Sequence, residues 1–392
     1  MSQEAHQPPK RRQTALIYSP ALVQASLPDR HPLKLDRPEQ LHALIEAYGL
    51  LAAPGVREVA PTTTTTDAVC AIHADDYVEV VKRLSVSEHV AEEVAQRHGF
   101  SAFGDNPPFP SMFEYHLLVS GASLAAVQLV SEGSADAAFS PAGGANHHAL
   151  RDQASGFGVF NDAAIALAWL RDRGLRAAYV DIDVHQGDGV EAAFVDSDDV
   201  LTISLHESTL FLFPGPQGGF AEHIGEDKGR GYAVNVPFAP HTDDATWLWA
   251  FEEIVPPLLT AFQPDIVVTQ LGADGYFNDP LAHLRLTTHA YETAIGHLRD
   301  LAPRWAALGG GGYDTGATAR VWALAFGIMA GVELPDDLPS SYAKAHGGET
   351  LRDPPGVARP NSDTQPQVRE FAEASVHTVQ RLVFPIHGLS TA

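Results

Sequence analysis

The chain has 392 residues, 45% hydrophobic and 19% charged, with a formal net charge of −24 and a pI near 5.0. That length can bury a large core as one α/β domain or two smaller ones. The acidic balance argues against a nucleic-acid-binding surface, because a polyanion would be repelled.

Residues 1–12 read as a disordered arm, polar and basic, without the apolar core of a signal peptide. A β pattern covers 14–18, and 37–50 look helical. The threonine run at 62–66 is too β-branched for a helix and is expected to be an extended edge or loop. Cys70 is the single cysteine and lies in an apolar run, so it reads as a core residue. One chain can then build neither a disulfide framework nor a thiolate metal cluster. Residues 99–111 carry three prolines, two glycines and no periodicity, which predicts a loop. Residues 114–131 are apolar and helical.

An alternation of strands and helices follows. Strands are expected at 135–140, 175–182, 200–205, 265–271 and 305–308, and helices at 161–173, 244–262, 288–301 and 317–330. Such alternation implies a parallel sheet covered on both faces. The proline- and glycine-rich segment 333–366 leads to apolar positions at helical spacing over 367–382. We therefore expect a domain over 13–335, and a C-terminal extension over 336–392 whose helix packs back on it. No uninterrupted apolar stretch reaches the roughly 20 residues needed to span a membrane. A cytoplasmic protein without membrane or nucleic-acid partners is the expectation.

Candidate chemistry clusters just after these strands. His147 and His148 follow the first, the Asp181-Ile182-Asp183-Val184-His185 run follows the second, Asp274 follows 265–271, and Tyr313 follows Gly309 to Gly312 after 305–308. In an extended segment, positions two apart point to one side, so Asp183 and His185 would converge on a metal. Each motif alone has a bland reading: capped strand ends, histidines in packing, a flexible glycine loop. Ligands of open α/β sheets bind outside the carboxyl ends of the strands, so their joint placement there points to a metal hydrolase.

The donor set Asp183, His185 and Asp274 suits Zn²⁺, and also Fe²⁺ or Mn²⁺. The ion would lower the pKa of bound water, one of the paired histidines would take its proton, and Asp181 and Asp188 would orient the imidazoles. Tyr313 would donate to the developing oxyanion.

The motifs Pro141-Ala142-Gly143-Gly144, His147-His148-Ala149, Ser155-Gly156-Phe157, Asn161-Asp162-Ala163, Val180 to Val190, Ser204-Leu205-His206, Phe213-Pro214-Gly215, Val234-Asn235-Val236-Pro237, Gly272-Ala273-Asp274 and Gly309 to Tyr313 closely resemble the zinc-dependent histone deacetylase superfamily. His31-Pro32-Leu33-Lys34 and Gly104-Asp105-Asn106-Pro107-Pro108-Phe109-Pro110 look most like its bacterial acetoin-utilisation members. The resemblance implies the arginase/deacetylase fold, a single α/β domain with a central eight-stranded parallel sheet flanked by helices.

It also implies roles. Asp183, His185 and Asp274 would hold zinc (or Fe²⁺), His148 would be the base with His147 beside it, and Tyr313 would polarise the acetyl carbonyl. Phe157 and Phe213 would wall a channel, with Gly156 and Leu281 also contacting substrate. Asp105 would hold the substrate backbone, and Arg37 would lie near an inner acetate pocket. One structural K⁺ would use Asp181 and Ser204 with carbonyls of Asp183, His185 and Leu205, and a second the carbonyls of Phe194, Ser197, Val200 and Tyr232. Gln186 stands where a second histidine is common.

The implied activity is removal of acetyl groups from lysine in a protein or peptide, such as an acyl-CoA synthetase. Alternatives are deacetylation of small amines such as polyamines, or non-catalytic binding of acyl-lysine. An arginase-like ureohydrolase would want an aspartate two residues after Asp274, where Tyr276 stands.

Overall fold

The structure is a computed structural model that describes residues 12–25, 27–359 and 362–390. Eight strands form one sheet: β1 Thr14–Ile17, β2 Val56–Val59, β3 Ala137–Ser140, β4 Ala177–Asp181, β5 Val200–Glu207, β6 Ala233–Phe238, β7 Ile266–Gln270 and β8 Trp305–Leu308. Their order is β2-β1-β3-β8-β7-β4-β5-β6, and every pair is parallel. This is the expected single α/β domain.

Alternate strand residues feed two apolar cores. Ala178, Val180, Trp305 and Ala307 face one side, where they meet α1 (Arg37–Ala47), α8 (Asp244–Phe262), α9 (Thr288–Leu301), α10 (Thr315–Ala330) and α12 (Gln365–Leu382). Ala177, Tyr179, Ala306 and Leu308 face the other, with α2 (Thr66–Cys70), α3 (Asp75–Ser85), α5 (Met112–Ser131), α6 (Asp162–Arg171) and α7 (Asp188–Phe194). Two short helices add to them: α11 (Ser340–His346) buries Tyr342 in the first core, and α4 (Glu92–Arg97) packs Val94 and Ala95 against the second. Helix α12 packs on β6 and α8.

Several expectations need correction. The threonine run stays non-helical over 62–65, as expected, but its last residue does not: Thr65 caps α2 by accepting from the Ala68 N–H, and Thr66 is the first residue of that helix. Cys70 ends that helix half-buried rather than in the core. Strand β2 escaped notice because Val56-Arg57-Glu58-Val59 is a half-exposed edge. The arm expected over 1–12 lies, apart from Arg12, outside the described residues. Arg12 is anchored, its guanidinium donating to the carbonyls of Ala302 and Arg299 at 3.2 and 3.4 Å. Helix α5 is long and apolar enough to cross a membrane, yet more than half of its span is buried against its neighbours, as a core helix is.

The buried side chains of His73, His116 and His206 stay neutral. Burial lowers the pKa of His73, His116 and His206 from the ordinary 6.5 to about 4, about 3 and about 4. The His116 ring sits among Phe109, Tyr115 and Phe160, with no hydrogen-bond partner at Nδ1. The unfolded chain protonates such a residue below pH 6.5 and the folded one does not, so its stability contribution is complete above 6.5 and is lost as pH falls. In urea unfolding between pH 7 and 5, His116→Phe should therefore lose stability with falling pH less steeply than wild type, by up to about 1.4 kcal/mol per pH unit. Identical slopes would mean that His116 titrates normally inside the fold.

Candidate active site

Strands β3, β8, β7 and β4 are consecutive in the sheet, and the segment leaving each carries part of one site. After β4 the chain bends, so strand alternation does not aim Asp183 and His185 as the sequence reading assumed. Two successive side-chain turns do it instead. Asp181 Oδ1 accepts from the Asp183 N–H and Asp183 Oδ1 from the His185 N–H, each at 3.0 Å. Aspartate favours such turns because its carboxylate reaches the backbone two residues on.

One ligand atom each from Asp183, His185 and Asp274 lies within 4.8 Å of the others. His185 Nδ1 is 3.1 Å from both carboxylates. Asp183 Oδ2 accepts from Gln270 Nε2 at 2.6 Å and from the Gly311 N–H at 2.7 Å, and Asp274 Oδ1 accepts from the Val184 N–H at 2.9 Å. A side chain at Gly311 would strike the Asp274 carboxylate, so glycine is what lets this backbone reach the ligands.

Burial pushes Asp274 up to about 7, with the neighbouring Asp183 charge adding to it. Burial also disfavours a charged Asp183, but His147, His185 and the hydrogen bonds keep it ionised. Two carboxylates and one imidazole converging in a buried cleft form an O/N donor set that fits a divalent cation. Asp183, His185 and Asp274 would hold it.

The paired histidines separate cleanly. His147 Nδ1 lies 2.9 Å from Asp181 and His148 Nδ1 2.6 Å from Asp188, with ring centroids 4.0 Å apart. Burial opposes charge on His147, but Asp181 and Asp183 outweigh it and raise its pKa to about 9. Burial and the His147 charge lower His148 to about 4. The loop bearing both rings hangs on buried Asp162, which accepts from the Gly144 N–H, Asn146 Nδ2 and Ser123 Oγ.

A channel of about 170 Å³ joins these groups to the surface, lined by Asp105, His148, Gly156, Phe157, His185, Phe213, Leu281 and Tyr313, with Leu212. Gly156 and Phe157 are the central pair of a tight turn closed by Ser155 and Gly158, with φ of 50° and 70°. A phenylalanine at positive φ is uncommon, and here it stands where the channel needs a wall. Burial, then Asp274 and Asp183, push the Tyr313 hydroxyl well above its ordinary pKa. Arg37 lies outside this channel, in a small inner cavity that also touches Asp105 and Phe157, and donates to the Gly312 carbonyl at 3.0 Å. Of the residues implied for K⁺, Asp181 pairs with Ser204 across β4 and β5, next to Leu205. Phe194, Ser197, Val200 and Tyr232 lie at the amino ends of β5 and β6, away from the channel.

Two supporting residues went unread in the sequence. Gln270 clamps Asp183 and also accepts from the Gly272 N–H at 2.7 Å. A lone amide ending an apolar strand was its available signal. Asp279 accepts from the N–H groups of Leu281, Tyr313 and Asp314 at 2.9, 2.7 and 3.3 Å, tying a channel wall to the tyrosine. No local pattern marks it. Gln186 turns away from the cluster, donating to Glu191 and Asn235.

The fold and site define a single parallel α/β domain with a candidate metal centre at the carboxyl ends of its central strands. The histone deacetylase domain matches residues 31–329, and the chain belongs to the histone deacetylase family. It is 32% identical to acetoin utilization protein AcuC of Bacillus subtilis (strain 168), over 96% of this chain and 98% of that protein. It is 35% identical to histone deacetylase 8 of Danio rerio, over 84% of each. A crystal structure of a histone deacetylase homolog from Aquifex aeolicus superposes with a TM-score of 0.82 at 29% identity, covering 93% of this chain and all of that one. Another, of a histone deacetylase homolog complexed with SAHA, gives 0.82 at 28%, covering 94% of this chain and all of that one.

Replacing Gln270 with leucine removes a donor from Asp183 and orphans the Gly272 N–H. Loss of an outer partner of a ligand typically costs about 10–100-fold in metal affinity. Gln270→Leu should weaken zinc affinity by that order in a chelator competition. Unchanged affinity would show that Gln270 does not orient Asp183.

Proposed function

We propose that this chain is a divalent-metal-dependent deacetylase that hydrolyses the acetyl amide of lysine side chains and releases acetate. The observation that carries this reading is the meeting, at one channel, of the Asp183–His185–Asp274 cluster, carboxylate-backed His148 and Tyr313. Similarity to histone deacetylase 8 of Danio rerio over 84% of the chain supports an acetylated protein as substrate. Zn²⁺ suits the donor set, as would Fe²⁺.

The channel walls Phe157 and Phe213 suit the apolar arm of an acyl-lysine. A divalent ion at the cluster would polarise the acyl carbonyl and acidify a water ligand. His148, neutral by its lowered pKa and with Nδ1 turned to Asp188, offers Nε2 as the acceptor of the attacking water's proton. The same nitrogen can return that proton to the departing lysine amine. Tyr313 keeps its hydroxyl proton at neutral pH and can donate it in a hydrogen bond to the carbonyl oxygen as negative charge develops. Asp279 fixes the tyrosine's backbone for that task.

Acetate release from an acetyl-lysine peptide by the zinc-loaded protein tests the reading. Tyr313→Phe should lower kcat by about 10²–10³, the cost of one oxyanion donor, while metal content and KM stay near wild type. A raised KM with normal kcat would make Tyr313 a binding wall. His148→Ala should lower kcat by about 10²–10⁴. Near-normal turnover would place the base elsewhere.

A further inference from the structure

Large apolar side chains are seldom left in water without a use once they gather in one place. Among the described residues, six are exposed: Val86, Phe103, Leu210, Phe211, Phe213 and Ile386. Four of these belong to the two segments that bring Asp105 and Phe213 to the channel mouth. Phe103 is the most exposed of all, at 85%.

Phe103 is displayed by a built turn. The Ser101 carbonyl accepts from the Gly104 N–H at 3.2 Å, and Arg30 donates to the Ala102 carbonyl at 3.0 Å. The Arg30 guanidinium lies over the Phe103 ring, 5.1 Å from its centre. Behind the ring is a cavity of about 330 Å³ that includes Pro28, Pro32 and Arg30. It shares Asp105, Phe157 and Leu281 with the catalytic channel. The two openings therefore adjoin, with these residues between them.

We propose that this shelf reads the residue next to the acylated lysine in a polypeptide substrate, with Phe103 docking an aromatic or branched apolar side chain. The inference rests on the deacetylase reading above and narrows it from any acetyl-lysine to those with such a neighbour in the polypeptide. Neighbouring Cα atoms are about 3.8 Å apart, so a lysine that fills the channel lays its neighbours across the rim. A polyamine has no such neighbours and gains nothing from the shelf.

The test compares hexapeptides that differ only in having phenylalanine or glycine on both sides of acetyl-lysine, with N-acetylputrescine as the small amine, on zinc-loaded protein. Wild type should favour the phenylalanine-flanked peptide by about 10-fold in kcat/KM, the scale of discrimination by a hydrophobic pocket. Phe103→Ser should bring that ratio near unity, mainly through KM, and Phe103→Leu should keep most of it. A preference that survives Phe103→Ser, no preference in wild type, or faster hydrolysis of N-acetylputrescine would each overturn the proposal. If no acetyl substrate is cleaved, the deacetylase reading fails. Fluorescence anisotropy of the labelled hexapeptides then decides the shelf alone: tighter, Phe103-dependent binding of the phenylalanine-flanked peptide supports it, and equal binding rejects it.

Discussion

Two buried carboxylates facing each other across one imidazole are the constraint on which this structure depends. Like charges about 4 Å apart repel by about 4 kcal/mol at an effective dielectric of 20. Asp183 and Asp274 are both fully buried, so the fold must supply compensation. It does so with N–H groups aimed from three separate segments: Gln270 and Gly311 on Asp183, Val184 on Asp274. These donors neutralise only part of the charge. A divalent cation is the partner that the remaining arrangement suits, and the pair of histidines is organised around the same field. His147 lies 3.9 Å from Asp183 and is pulled toward the charged form, while His148, one residue further out, is held neutral.

The sheet makes this concentration of charge affordable. Its four central strands bury both faces in apolar side chains, so their backbones are fixed by ladders and by packing on two sides. Only their carboxyl ends are free to carry polar chemistry. The loops leaving them are then tied to one another rather than to solvent: Asp162 holds the histidine loop, and Asp279 holds the tyrosine and the channel wall together. A site assembled from four distant stretches of sequence is thus tied together by its own hydrogen bonds.

Much of this was legible in the sequence. Helices α8 and α9 have the expected bounds because Asp243 and Thr287 cap them and their apolar residues repeat at helical spacing. The buried strands β4 and β7 announced themselves as short apolar runs. The edge strand β2 did not, because half of its side chains are charged and face water. Asp183 and His185 do converge, but through aspartate turns after the strand has ended rather than by strand alternation. Gln270 and Asp279 act only through residues far away in the chain, and no local pattern encodes such a partnership. Phe103 looked like one more residue of a proline-rich loop until its exposure and its neighbours were known.

The most direct test of the account is to strip the protein with a chelator and titrate Zn²⁺ back, following bound metal and acetate release from an acetyl-lysine peptide together. The account predicts that activity rises from zero in proportion to bound metal and stops at one ion per chain, and that Asp274→Ala neither binds the ion tightly nor recovers activity. Hydrolysis by the metal-free protein, or a requirement for two ions per chain, would contradict it.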